Sequence, residues 1–106
     1  MASNMIESRV EHYLVSKITR IGGLCLKFCS TGQAGVPDRV VIYDGRVVFV
    51  ELKRPGEEPR ALQKAVAKKL RKAGGYVYCL STLEQVDRFT RDIMSGWPAD
   101  NAYDTI

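Results

Sequence analysis

Two short runs separated by Asp44-Gly45 constrain this chain more than any other feature. Residues 38–43 (DRVVIY) and 46–52 (RVVFVEL) are rich in β-branched and aromatic residues. Asp-Gly between such runs is a strong hairpin signal, because a tight two-residue turn needs positive φ at both positions. With Asp44-Gly45 as the turn, Tyr43 pairs with Arg46, Val41 with Val48 and Val40 with Phe49. The same register sets Asp38 opposite Glu51. Directly opposed residues share one face of a sheet with Cβ atoms about 4.5–5.5 Å apart, so like charges placed there repel. An apolar hairpin gains nothing from such a pair unless something positive lies between them. Lys53 lies two residues beyond Glu51 and therefore points to the same face.

An Asp, a Glu and a Lys at one end of a hairpin form a chemical unit. Two hard carboxylate ligands with open positions suit Mg²⁺ or Mn²⁺. A lysine beside them can stabilise negative charge developing on a phosphate, or orient a water. Glu51-Leu52-Lys53 alone would read as a wet strand end with a Glu–Lys pair. Pro37-Asp38, the opposing register and the Glu-Leu-Lys run together favour a site. Two further residues fit beside it. Glu11 lies at the edge of a helical apolar stripe near Leu14 and Ile18, within reach of the sheet margin. Glu7, one turn earlier, competes for this role but reads better as the capping partner of Asn4. Gln63 is turned partly inward on a later helix, where it either starts the helix or holds a water or phosphate.

The remaining chain supplies a frame for this hairpin. Residues 5–21 predict a helix, with Ile6, Val10, Leu14, Ile18 and Ile21 at helical spacing and Gly22-Gly23 as its stop. Lys17 falls within that stripe, where its stem can snorkel. Residues 24–29 predict a strand with Leu24, Leu26 and Phe28 on one face, followed by the loop STGQAGVP. Residues 61–73 predict a helix with Leu62, Val66, Leu70 and Ala73 on one face and Lys64, Lys68, Arg71 and Lys72 on the other. Residues 76–80 predict a fourth strand, and Ser81 or Thr82 caps a last helix over 83–94. The order is αβββαβα. The first three strands form an antiparallel meander, and the crossover helix sets the fourth parallel to the third. The expected architecture is an α/β domain over residues 1–95, with a mixed four-stranded sheet flanked by helices and a tail over 96–106.

Composition narrows the function. The chain has 106 residues, is 45% hydrophobic and carries a net charge of +4, which suits one folded domain. No stretch approaches the roughly 18 apolar residues of a membrane span, and acids stand where a secretory leader would be basic and then apolar. Cys25, Cys29 and Cys79 form no CxxC pair and read as free thiols without a functional role. His12 is the single histidine and reads as an exposed helix residue. The charge is concentrated: residues 53–72 hold eight bases and two acids, a balance of +6 that exceeds the total for the chain. Such a block is either a solvated helix face or a phosphate-binding surface.

These residues resemble the PD-(D/E)xK nuclease superfamily: Val36-Pro37-Asp38, Glu51-Leu52-Lys53 and an N-terminal helical Glu. Within it, the segments IESRVEHYLV, GGLCLKF, GVPDRVVI, VVFVELKRPG and ALQ resemble the virus-type replication-repair nuclease (VRR-NUC) domain in its small phage and bacterial form. VEHYLVSKITRIGG followed by STG is also similar to archaeal Holliday-junction resolvases. The resemblance implies a restriction-endonuclease-like core and a Mg²⁺- or Mn²⁺-dependent endodeoxyribonuclease, located in the cytoplasm of a bacterial or phage-infected cell. It implies metal binding by Asp38, Glu51 and the Leu52 carbonyl, with Glu11 completing the site through the metal or a water. Lys53 would position or polarise the attacking water, and Gln63 would match the glutamine that follows the Glu-Leu-Lys strand. Ser30, Arg39, Arg54, Lys64, Lys68, Arg71 and Lys72 would face DNA. Homodimers that cut branched or four-way DNA are the implied working form. The competing readings are a non-catalytic or sequence-specific, restriction-like DNA-binding protein of the same fold, and a module whose basic helix meets an acidic protein.

Overall fold

The computed structural model describes residues 2–96, with side chains from residue 8 onward. Its elements run α1 (Ala2–Arg20), β1 (Leu24–Lys27), β2 (Arg39–Tyr43), β3 (Arg46–Leu52), α2 (Ala61–Lys72), β4 (Tyr76–Leu80) and α3 (Leu83–Met94). The expected tail beyond residue 96 lies outside the described residues.

The hairpin forms in the expected register. Tyr43 pairs with Arg46, Val41 with Val48 and Val40 with Phe49. Asp44 and Gly45 both take positive φ, 51° and 76°, which matches the twist of the flanking strands. Strand order in the sheet is β1-β2-β3-β4, with β4 parallel to β3 and the other pairs antiparallel.

One face of the sheet meets α1 and α3. Cys25, Val41, Val48, Val50, Leu52, Tyr78 and Leu80 pack there against Val10, Leu14 and Ile18 of α1 and Val86, Phe89 and Ile93 of α3. Tyr13 donates a hydrogen bond to Asp87 at 2.6 Å and Lys17 lies 3.3 Å from the same carboxylate, which ties the two helices at their surface. The cap of α3 is Thr82: its hydroxyl accepts from the Gln85 amide at 3.1 Å, an interaction worth about 1 kcal/mol. The opposite face carries α2 over β4, through Gln63, Val66 and Ala67.

Three expectations need correction. Helix α1 begins at Ala2, so Asn4 lies within it and is not its cap. Leu24 and Leu26 share one face of β1 as expected, and Cys25 on the other face meets the core. Burial against α1, not side-chain size, selects the inward residue of a short edge strand. In α2 the inward residues are Gln63, Val66 and Ala67, and Leu62 is exposed. Leu62 instead packs over Gly35, where an added Cβ would lie 2.8 Å from its Cγ. Finally, Arg71 is drawn inward, and its guanidinium donates to the Val77 carbonyl at 3.1 Å.

Candidate active site

The acidic residues gather where β2 starts and β3 ends. Regular pairing stops at Arg39–Val50, one pair short of Asp38 and Glu51. Asp38 keeps its backbone in line, accepting the Phe28 amide at 3.0 Å on its carbonyl. Its side chain takes over the next ladder position: Oδ2 accepts the Leu52 N–H at 2.8 Å. The carboxylate is thereby held against the end of β3, beside Glu51.

Glu51 is 2% exposed. Gln63 Nε2 donates to its Oε2 at 2.7 Å, and Lys53 Nζ lies 3.4 Å from the same oxygen. The Lys53 side chain is itself 11% exposed, and its backbone N–H is tied to the Leu80 carbonyl at 3.1 Å. Gln63 is fixed from the other end, because its Oε1 accepts the Arg60 amide at 2.8 Å. One side chain thus caps α2 and orients Glu51. Both contacts fall on Oε2, and the Leu52 amide falls on Asp38 Oδ2. Among the described residues, Glu51 Oε1 and Asp38 Oδ1 make no hydrogen bond to the protein.

Burial sets the electrostatics. Desolvation pushes the Glu51 carboxyl up to about 7, with the Asp38 charge adding to the rise and Lys53 opposing it. Asp38 is raised as well, chiefly by burial; the Leu52 N–H opposes this, and Glu11 adds to it. Two acids held in a dry corner, each with an oxygen unused by the protein, fit a small hard cation that offsets their repulsion.

The other expected residues divide into three groups. Glu11 is half-buried on the α1 side of the sheet and engages Arg39 Nε at 2.8 Å and Lys27 Nζ at 3.5 Å. It forms no three-ligand cluster with the acids among the described residues. Arg39 is held by Glu11 and by the Cys25 carbonyl, its Nη1 lying 3.2 Å from that oxygen. Arg54 bonds Glu57 at 2.6 Å, and Lys64 lies 3.6 Å from Glu58. Lys68, Lys69 and Lys72 stay exposed, with no carboxylate partner among the described residues. Lys64 and Lys68 line an open groove of about 430 Å³ with Ala61 and Ala65. Ser30 is exposed in the loop before β2. The side chain of Glu7 lies outside those described.

Cys79 is a neighbour that the sequence did not single out. It pairs in register with Glu51 and is buried beside the acids, and burial pushes its thiol up to about 11. Only the parallel register of β3 and β4 reveals this proximity.

A mixed sheet with helices on both faces and paired acids at a strand end defines an α/β nuclease core. A scan of protein-family models finds none that matches. A curated relative, "Putative nuclease p44" of Acyrthosiphon pisum secondary endosymbiont phage 1, is 38% identical over 96 residues, covering 90% of this chain and 95% of the relative. A solved structure described as a VRR_NUC domain superposes with a TM-score of 0.76 at 32% identity, covering 80% of this chain and 94% of that one. The chain belongs to the VRR-NUC family and is a nuclease of that type.

Proposed function

We propose that this chain is a metal-dependent endonuclease that hydrolyses phosphodiester bonds in branched DNA, four-way junctions included, and works as a homodimer. The carrying observation is the Asp38–Glu51–Lys53 corner, with one oxygen of each acid left unused by the protein. Asp38 and Glu51 would hold Mg²⁺ or Mn²⁺, with the Leu52 carbonyl as a further hard oxygen. Such an ion would supply Lewis acidity, lowering the pKa of a water and offsetting charge on the scissile phosphate.

The protein's own contribution is positioning. Gln63 and the Leu52 amide fix the two carboxylates, and Lys53 presents a cation beside them to orient the attacking water or to stabilise the phosphate. Lys64, Lys68 and Lys72 on the outer face of α2 would meet DNA phosphates, which makes binding salt-dependent and largely independent of sequence. The buried acids weigh against a pure DNA binder, which has no use for opposed carboxylates near phosphate.

The test is a panel of four-way junction, flap, splayed arm, single strand and linear duplex with Mg²⁺ or Mn²⁺. Junction cleavage that EDTA abolishes is the expected result. An inert wild type on every substrate with both metals overturns the enzyme reading.

Cutting two strands symmetrically needs two sites, and the sheet offers a surface for pairing. On the face that carries Glu51, Leu24, Leu26 and Val47 remain 55%, 49% and 46% exposed. They are linked through the register by Ile42, Val40 and Phe49 into one uncharged patch, suited to a second copy and not to phosphate. Leu26→Glu is expected to shift the protein from dimer to monomer in light scattering behind size exclusion, with its circular dichroism unchanged. A wild type that is monomeric at tens of micromolar sinks the homodimer.

A further inference from the structure

Arg39 follows Asp38 directly in the chain, yet the two side chains serve opposite sides of the sheet end. Asp38 reaches across to β3. Arg39 turns toward α1, where Nε donates to Glu11 Oε2 at 2.8 Å and Nη1 to the Cys25 carbonyl at 3.2 Å. The guanidinium therefore bridges three elements: β2, which carries it, β1 through a main-chain oxygen, and α1 through a carboxylate. Its side chain is 15% exposed and that of Glu11 21%. A half-buried guanidinium with two well-directed acceptors is a stiff connection. The second cation on Glu11, Lys27, is 69% exposed at a longer 3.5 Å and constrains it less.

We infer that Arg39 is a positioning residue of this nuclease site, which ties the helical acid Glu11 to the main chain next to Asp38. The inference rests on the proposed metal-dependent reading and extends it to a residue that the sequence would assign to DNA. The geometry favours this role over phosphate contact, because Nε and Nη1 already have acceptors within the protein. Arg39 also lines an open hollow of about 250 Å³ with His12, Val15 and Ser16, so water reaches it without its leaving Glu11. Because Asp38 and Arg39 share a peptide bond, any shift of α1 relative to β2 is transmitted to the spacing between the two acids. Residues that orient metal ligands from behind typically cost about 10–100-fold in metal affinity when removed.

The experiment is a Mn²⁺ titration followed by electron paramagnetic resonance on wild type, Arg39→Gln, Arg39→Lys, Glu11→Gln and the Arg39→Gln/Glu11→Gln double variant. Thermal melts and DNA binding in EDTA run beside it. Arg39→Gln is expected to weaken Mn²⁺ binding about tenfold. Arg39→Lys recovers part of that loss, and the double variant is no worse than the worse single one. Affinity for DNA in EDTA, and its salt slope, stay as in wild type. Wild-type Mn²⁺ affinity in Arg39→Gln, or losses that add in the double variant, overturn the inference. A salt slope lowered by about one also overturns it, because it makes Arg39 a phosphate contact. A wild type that binds no Mn²⁺ defeats the metal reading itself, a distinct outcome.

Discussion

Glu51→Gln will give a protein that is more stable than wild type at pH 8 in EDTA and that is severely impaired in cutting DNA. Burial holds the Glu51 carboxyl near 7, whereas in the unfolded chain it titrates close to its ordinary 4.5. Between those values the folded state binds more protons than the unfolded state, so wild-type stability falls as pH rises through that window. The full shift corresponds to about 3 kcal/mol, an upper bound on what an isosteric amide regains at pH 8. At about 4–8 °C per kcal/mol for a domain of this size, the melting temperature should rise measurably at pH 8 and differ little at pH 4.5. Mg²⁺ should raise the melting temperature of wild type and leave that of Glu51→Gln unmoved, because only an intact ligand pair gains from the ion. Cleavage should fall by at least about 100-fold, the upper end of what a residue behind a metal ligand costs. Asp38→Asn should match it in activity. Paired melts at two pH values with and without Mg²⁺, and cleavage of a labelled junction, decide the matter. A Glu51→Gln variant less stable than wild type at pH 8 would show that its contacts to Lys53 and Gln63 outweigh the burial cost. An Asp38→Asn variant that still cuts would remove Asp38 from the site.

Phe89→Ala should be the most damaging single change outside the site. Helix α3 is polar on its outer face and is anchored by Val86, Phe89 and Ile93. Phe89 is fully buried, its ring centroid 5.0 Å from that of Tyr78 in an edge-to-face arrangement. Emptying such a position costs about 3–5 kcal/mol, a large part of the roughly 5–15 kcal/mol that holds a domain of this size together. A loss of more than about 12 °C in melting temperature is expected, read by circular dichroism. Met94→Ala on the exposed side of the same helix should change stability by under about 0.5 kcal/mol. Similar losses from both would mean that α3 does not depend on its buried face.

The hairpin was legible because its information is local. An Asp-Gly turn and a period of two determine which residues oppose which, and the observed register follows. Strand β4 and helix α3 were equally legible, bounded by Gly74-Gly75 and Thr82. The outward Leu24 and Leu26 and the exposed Leu62 were not, because an apolar residue carries no mark of which face another element will cover. Arg71 belonged by spacing to the lysine face, but the nearby Val77 carbonyl drew it inward.

The candidate site divides along the same line. Sequence alone placed Asp38, Glu51 and Lys53 together, because turn geometry and strand period act over fewer than twenty residues. It also placed the basic block on one helix, because composition and helical period are properties of the chain itself. Only the tertiary structure decided that Gln63 caps α2 and holds Glu51, that Cys79 lies beside the acids, and that Glu11 rests on Arg39. Each of these joins residues on different elements. Their meeting depends on how helices pack across the sheet, a balance of burial and hydrogen bonding that no local pattern records.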